Sequence, residues 1–411
     1  MNGQRVRSLD AARGIAMLLV CVVHFLGVYD WRQEVGLEWF FLPITWICLT
    51  ASPMMVLISG CLLGHQFAAR RDQFVTFRAH LIDRALFTII VGHVAIALFR
   101  APNFGLMAAV SHAYITDTLA LCVIFGVYVI PKIKSQLRLM IGMFLGLGSW
   151  YVWVAWTPDN ASMLLVKSVF LGQPYKADPI FYCPLIPWLG VYLVGSSVGE
   201  WIGHFNLQDY WLASRRLFGV SVAVVFGVTG LQVVRMFMRQ GDLLSSSSDW
   251  YLYIPNFSKY PPASLYLLFY GGVALLILSV LLAGNYRPLW DRISTGFLEP
   301  IGRNSLVIFV LQFALYNTMF YLFLKTMVPV AVIALAILPL SLGVIHQAAW
   351  LCERIKISRY LSLGFVADLA NLEKADRVRI RPLRFAVKDS VVEPRGDTGK
   401  TVPCAKKFPK V

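Results

Sequence analysis

Apolar residues run along this chain in stretches of about twenty, divided by short polar intervals. The repeat predicts ten helices of bilayer length. They fall near 13–29, 40–64, 80–99, 107–130, 138–156, 181–199, 215–234, 264–283, 304–324 and 327–350. The first stretch, Arg7 to Tyr29, reads RSLDAARGIAMLLVCVVHFLGVY and organises the rest. It is almost wholly apolar from Gly14 onward, yet Asp10 and Arg13 lie at its head and His24 interrupts it deep inside. An ionisable side chain in a membrane helix is costly unless it faces protein or water, which makes Arg13 and His24 the pair to explain. Eleven residues is almost three helical turns, so Asp10, Arg13, Val20 and His24 form one stripe, with Arg13 and His24 about 16 Å apart along the axis.

Composition agrees with that pattern. The chain has 411 residues, 58% hydrophobic and 14% charged, with a mean hydropathy of +0.65. This is far more apolar than a soluble domain and implies an all-α, polytopic helical bundle. The first stretch has no small-residue cleavage site and is followed by many like it, so it reads as a retained helix and not a signal peptide. The seven cysteines form no CxxC or His/Cys cluster, and neither a disulfide framework nor a zinc site is implied. There is no internal repeat. Residues 1–350 form the bundle, and 351–411 read as a basic, partly disordered cytoplasmic tail.

A net charge of +15 would ordinarily suggest nucleic acid, but the distribution of the charge points to orientation instead. With an inside N-terminus, the inner segments hold Arg5, Arg7 and Arg13, then Arg70, Arg71, Arg78 and Arg84, then Lys132, Lys134 and Arg138, then Arg215 and Arg216, and last Arg287, Arg292 and Arg303. The outer segments hold about half as many, among them Arg100, Lys167 and Lys259. The positive-inside rule then puts both termini in the cytoplasm. Two outer loops are long, Thr157 to Ile180 and Arg235 to Pro262, the second with the run Ser245 to Ser248. The tail carries RVRIRPLR from Arg377 to Arg384, a sequence suited to anionic headgroups or simply to solvent.

LDAARGIAMLLVCVVH resembles the opening of the transmembrane acyltransferase superfamily: the acyltransferase 3 family and, more closely, bacterial relatives of the heparan-α-glucosaminide N-acetyltransferase catalytic domain. Further segments are similar in the same order: ASPMMVLISG, TDTLALC, PLIPWLGVYLVG, SKYPPASLYLL and IGRNSLVIFVLQ. The resemblance covers about residues 5 to 350 and departs where Gln312 stands in place of a His common in those relatives. It implies transfer of an acyl group, in the first instance acetyl, from cytoplasmic acyl-CoA to a carbohydrate acceptor, in a bacterial inner membrane. Two rival readings stay open: a carrier without acyl chemistry, and a catalytically inactive relative.

Such a reaction needs a base for the acceptor hydroxyl, donors for the developing oxyanion, and exclusion of water. His24 is the candidate base. CoA phosphates cannot cross a bilayer, so Arg13, Arg70, Arg71, Arg78, Arg84 and Arg303 are candidate partners for them on the inner side. Arg13 has an alternative as an i,i+3 partner of Asp10. Asn304 and Ser305 begin a helix whose N-terminus could hold a CoA phosphate, or Asn304 is a plain N-cap. Asp117 is placed to orient His24 or a sugar hydroxyl, or to pair with an outer Arg. His93 shows no partner spacing and reads as a satisfied core residue. Lys259 and Tyr260 are candidate acceptor anchors, with a snorkelling Lys as the alternative. Pro261 and Pro262 favour an extended approach to the next helix. Trp188, with Pro184 and Pro187, is either a sugar-stacking wall or part of an interfacial belt. Gln312 is counted with the acceptor residues. No Walker A, Rossmann, HExxH or GxSxG pattern occurs.

Overall fold

The computed structural model describes residues 6–29, 38–173, 183–205, 209–238, 258–284, 293–320, 336–357 and 361–364, all within the unit Met1–Asp368. The Ser245 to Ser248 run and the basic tail segment at Arg377 to Arg384 lie outside the described residues. Every named element is helical. In chain order these are α1 (Arg7–Tyr29), α2 (Glu38–Cys48), α3 (Ala51–Ala69), α4 (Phe74–Phe87), α5 (His93–Phe104), α6 (Leu106–Ser111), α7 (Ile115–Val129) and α8 (Ser135–Ala155). There follow α9 (Ala161–Leu171), α10 (Leu185–Gly203), α11 (Tyr210–Met238), α12 (Ser264–Gly284), α13 (Glu299–Arg303), α14 (Ser305–Phe313) and α15 (Leu338–Arg354).

Among the described residues, seven helical spans are long and apolar enough to cross a membrane: Arg7–Gly27, Leu42–Ala69, Phe77–Pro102, Ser135–Ala155, Leu185–Gly203, Tyr210–Val234 and Ser264–Gly284. An eighth is made if the pair Gly296–Arg303 and Ser305–Asn317, bent by 84°, counts as one. The protein is therefore a multi-pass membrane protein. Two of the ten apolar stretches take other forms. The stretch near 107–130 breaks at His112–Tyr114 into α6 and the short α7, because Asp117 caps α7: the Tyr114 backbone N–H donates to Asp117 Oδ2 at 2.9 Å. The stretch near 327–350 is described only from residue 336, where α15 runs on to Arg354. The first long loop is also not irregular throughout, since Asn160 Oδ1 accepts from the Met163 N–H at 2.8 Å and starts the apolar α9.

Helices in lipid have no water to drive them together, so they associate by close packing of small residues. Here α3 and α10 meet through two facing pairs spaced four apart. A Cβ at Gly60 or Gly64 would come within 2.1 or 1.9 Å of the Tyr192 or Ser196 carbonyl oxygen, and one at Gly195 or Gly199 within 2.1 or 1.9 Å of the Leu57 or Cys61 oxygen. The backbones touch, and any larger residue would push the helices apart. The same device seats α1: a Cβ at Gly14 would strike the Leu298 oxygen at 2.1 Å, and one at Gly302 the Asp10 oxygen at 1.9 Å. Thus the glycines of the RG and GR segments lock α1 against α13. Around this contact Leu9, Ala11, Ala12, Ala16 and Met17 are fully buried, making α1 the centre of the bundle.

Candidate active site

The stripe on α1 holds. At one end Arg13 Nη2 donates to Ser305 Oγ at 2.5 Å, and at the other His24 Nδ1 lies 2.9 Å from Gln312 Nε2. Both partners belong to α14, so one helix braces the two ends of the stripe. Gln312 is fully buried, and its Oε1 has no hydrogen-bond partner. The half-buried His24 ring sits against Phe313, centroids 5.0 Å apart, and against Phe309, edge-on at 5.9 Å. Its Nε2 has no hydrogen-bond partner among the described residues.

A cavity of about 210 Å³ starts at the Arg13 end. Arg13, Arg84, Thr88, Gln66 and Ser305 line it, and further in stand Ser59, Thr116 and Tyr192. The hydroxyls of Ser59, Thr116 and Tyr192 are buried and lack partners, although Tyr192 is itself fully enclosed. Buried hydroxyls without partners are costly, and among the described residues these three give the lining of one space buried polar groups. Phe309 is among the lining residues and also packs edge-on against the His24 ring, so it joins the cavity to that ring. Three π-helical segments, Thr88–Gly92, Ser294–Leu298 and Ala314–Phe320, lie in the surrounding elements, directly before His93, before α13 and after α14. Such bulges re-aim side chains at functional places.

Asp117 is not the partner of His24. Its Oδ2 lies 2.8 Å from His93 Nδ1, while His93 Nε2 lies 3.0 Å from the Val110 carbonyl oxygen. Both ring nitrogens of His93 lie within hydrogen-bond distance of an oxygen. His93 is thus a bonded residue, as its lack of a sequence partner suggested, and Asp117 is what bonds it. The link to His24 is indirect and aromatic. Tyr114 packs on His93 at 5.3 Å and on Phe313 at 6.3 Å, and the Arg100 guanidinium lies over both Tyr114 and Phe313 at 5.4 and 5.8 Å.

Other candidate residues have different occupations. Arg303 pairs with Glu299, with Glu353 at 3.0 Å and with Asp10 at 3.5 Å, so three carboxylates engage it where a phosphate was expected. Arg7 joins the same cluster through Glu299 at 2.9 Å. The Asn304 amide donates to the Pro300 and Ala349 carbonyls at 2.9 and 3.3 Å, joining α13 to α15 instead of capping α14. Trp188 is 1% exposed, which removes it both as a sugar wall and as an interfacial belt residue. Lys259 and Tyr260 do stand together, the ammonium 5.3 Å from the ring centre. The chain there makes a tight turn, with Lys259 bridged to Pro262, where an extended approach was expected. Gln312 belongs to His24 itself. Arg100, Tyr114, Thr116 and Tyr192 were missed, because each gains its place from helices distant in sequence.

The family described as heparan-alpha-glucosaminide N-acetyltransferase, catalytic, matches residues 5–233, more than half of the chain. Among curated proteins none matches. The matched part includes Arg13, His24, Arg84, His93, Asp117 and Tyr192, and ends before Ser305, Phe309 and Gln312.

Proposed function

The chain belongs to the heparan-alpha-glucosaminide N-acetyltransferase catalytic family, and on that premise we propose that it moves an acetyl group from cytoplasmic acetyl-CoA to a hydroxyl or amine of a carbohydrate acceptor at or beyond the membrane. The observation that carries this reading is one cavity lined by Arg13, Arg84 and Ser305 and by Phe309, whose ring packs on His24. Its cationic end suits the phosphates of CoA, together with the N-terminus of α14 at Ser305. Its unpartnered hydroxyls suit the amides of the pantetheine arm. His24 then stands where the thioester would arrive.

In this mechanism His24 Nε2 takes the acceptor proton as the acceptor oxygen or nitrogen bonds to the thioester carbonyl carbon. The tetrahedral intermediate expels the CoA sulfur, which receives that proton, leaving an acetylated acceptor and free CoA. The base needs its lone pair on Nε2, hence its hydrogen on Nδ1. That tautomer is held when the Gln312 amide presents Oε1 to the ring, a half-turn that also gives the unpartnered oxygen a donor. We assign the catalytic domain to residues 1–350, with ten spans, both termini and the 351–411 tail cytoplasmic, in a bacterial inner membrane. The excess of Lys and Arg on alternate loops supports that orientation.

A carrier is the competing reading, favoured by the helix bent 84° at Asn304 beside the cavity, a geometry that transporters use at substrate sites. Purified protein given radiolabelled acetyl-CoA and a panel of glycans separates the two. Transfer to a glycan, lost in His24→Ala by about 10²- to 10⁴-fold, is expected for a general base. Absence of transfer with counterflow of unmodified sugar in vesicles would establish the carrier instead.

A further inference from the structure

A larger cavity, about 530 Å³, lies between α8, α10, α11 and α12, away from His24. Most of its wall is hydrocarbon, with Leu139, Met143, Val194, Val220, Leu267 and Leu275 among the lining residues. Glycine widens it. Gly142 is already required by the α8–α10 contact, because a Cβ there would meet the Gly190 oxygen at 2.8 Å. Gly271 has no such reason: a Cβ there would meet nothing within 4 Å, so the space beside it is open.

Polarity is confined to one end. Ser135 and Gln136 in the first turn of α8, Ser197, Trp201 and Arg216 line the cavity there. The neighbouring carboxylate on α10, Glu200, is taken by the buried Arg138. Arg216 is exposed, and among the described residues no carboxylate pairs with it. Exposed Arg215 precedes it in sequence, and exposed Lys132 and Lys134 lie just before Ser135 at the start of α8, so this end is basic. On two of the helices that line it, Met140 and Phe144 of α8 and Phe226 of α11 are 68, 75 and 71% exposed, as expected for faces bathed in lipid.

We propose that this groove binds one anionic phospholipid of the bilayer, an acyl chain along the apolar wall and the phosphate at Arg216. Water is a poor occupant of an apolar space this size. A helix is a poor one too: at about 10 Å across it fills roughly 80 Å³ per Å, so the cavity would take little more than one turn. A single flexible chain ending in a negative group matches both the shape and the one-ended charge, and basic recesses between membrane helices on the inner side hold such headgroups.

The full-length protein, reconstituted in phosphatidylcholine nanodiscs with or without phosphatidylglycerol, tests this by native mass spectrometry and thermal unfolding. Wild type should retain phosphatidylglycerol and melt at a higher temperature with it than with phosphatidylcholine alone. Arg216→Gln should bind it about fivefold more weakly, the effect of one headgroup cation. Gly271→Leu, which fills the open space, should lose the bound lipid altogether. Equal retention of both lipids in wild type and Arg216→Gln would overturn the anionic site. Undiminished phosphatidylglycerol in a folded Gly271→Leu would overturn the groove, as would a dimer that Gly271→Leu dissociates.

Discussion

Two histidines on different helices, His24 of α1 and His93 of α5, have opposite surroundings. His93 has a carboxylate on Nδ1 and a carbonyl on Nε2. His24 has only the neutral amide of Gln312 on Nδ1, with Nε2 unpartnered among the described residues. A His–Asp pair is the arrangement usually sought as a catalytic dyad, yet here it is the bonded one. A base needs an available lone pair, and His93 has both nitrogens engaged by acceptors. His24 has fewer partners, and in the proposed mechanism that leaves it the lone pair a base requires. Position agrees, since Phe309 joins the His24 ring to the cavity that Arg13 and Arg84 line, whereas Asp117 also caps α7 and so belongs to the frame.

The largest effect expected is the contrast between the two. His24→Ala should abolish most transfer, as stated above, while His93→Gln should leave turnover per folded molecule within about tenfold. The cost of His93→Gln should instead appear in thermal unfolding, at about 2 kcal/mol, between a lost cap and a broken buried pair. Melting curves and single-turnover rates on the two variants read this out. A folded His93→Gln protein without transfer would exchange the roles assigned to the two rings.

What could be read in the sequence was local. The three-turn spacing of Arg13 and His24 and the run of apolar stretches lie within single helices, where period and composition act directly. What could not be read depends on which helices meet. His93 and Asp117 are 24 residues apart on different helices, and no periodicity links them. Arg303 looked like a phosphate ligand until Asp10 and Glu353 arrived from α1 and α15. Trp188 read as a sugar-stacking wall or an interfacial belt residue, but the glycine contacts of α10 draw that helix into the core. Local pattern decides elements, and a site is decided by their packing.

A second contrast sharpens the first, because if His24 is the reacting end, the other end of the cavity must hold the donor. Arg84 is exposed and lines that end, whereas Arg303 is committed to acids. Arg84→Gln should raise the KM for acetyl-CoA about tenfold with kcat little changed, the loss of about 1.4 kcal/mol from one charge-assisted contact that the ground state also makes. Arg303→Gln should leave that KM near wild type and lower the melting temperature, since it strands Glu299 and its neighbours. An unchanged KM in Arg84→Gln would move the donor out of this cavity.

The smallest effect concerns Gln312, whose amide in the proposed mechanism selects the tautomer of His24 by presenting Oε1 to Nδ1. Without it the ring keeps its place against Phe309 and Phe313, so binding of donor and acceptor should hardly change. What changes is the fraction of molecules with hydrogen on Nδ1 and a lone pair on Nε2. Gln312→Ala should therefore lower kcat about tenfold, one neutral hydrogen bond in the transition state, with both KM values within about twofold of wild type. A rise in acceptor KM at constant kcat would make Gln312 a substrate ligand. Unchanged kinetics would mean that His24 settles its own tautomer, and the difference between the two histidines would then rest on Nε2 alone.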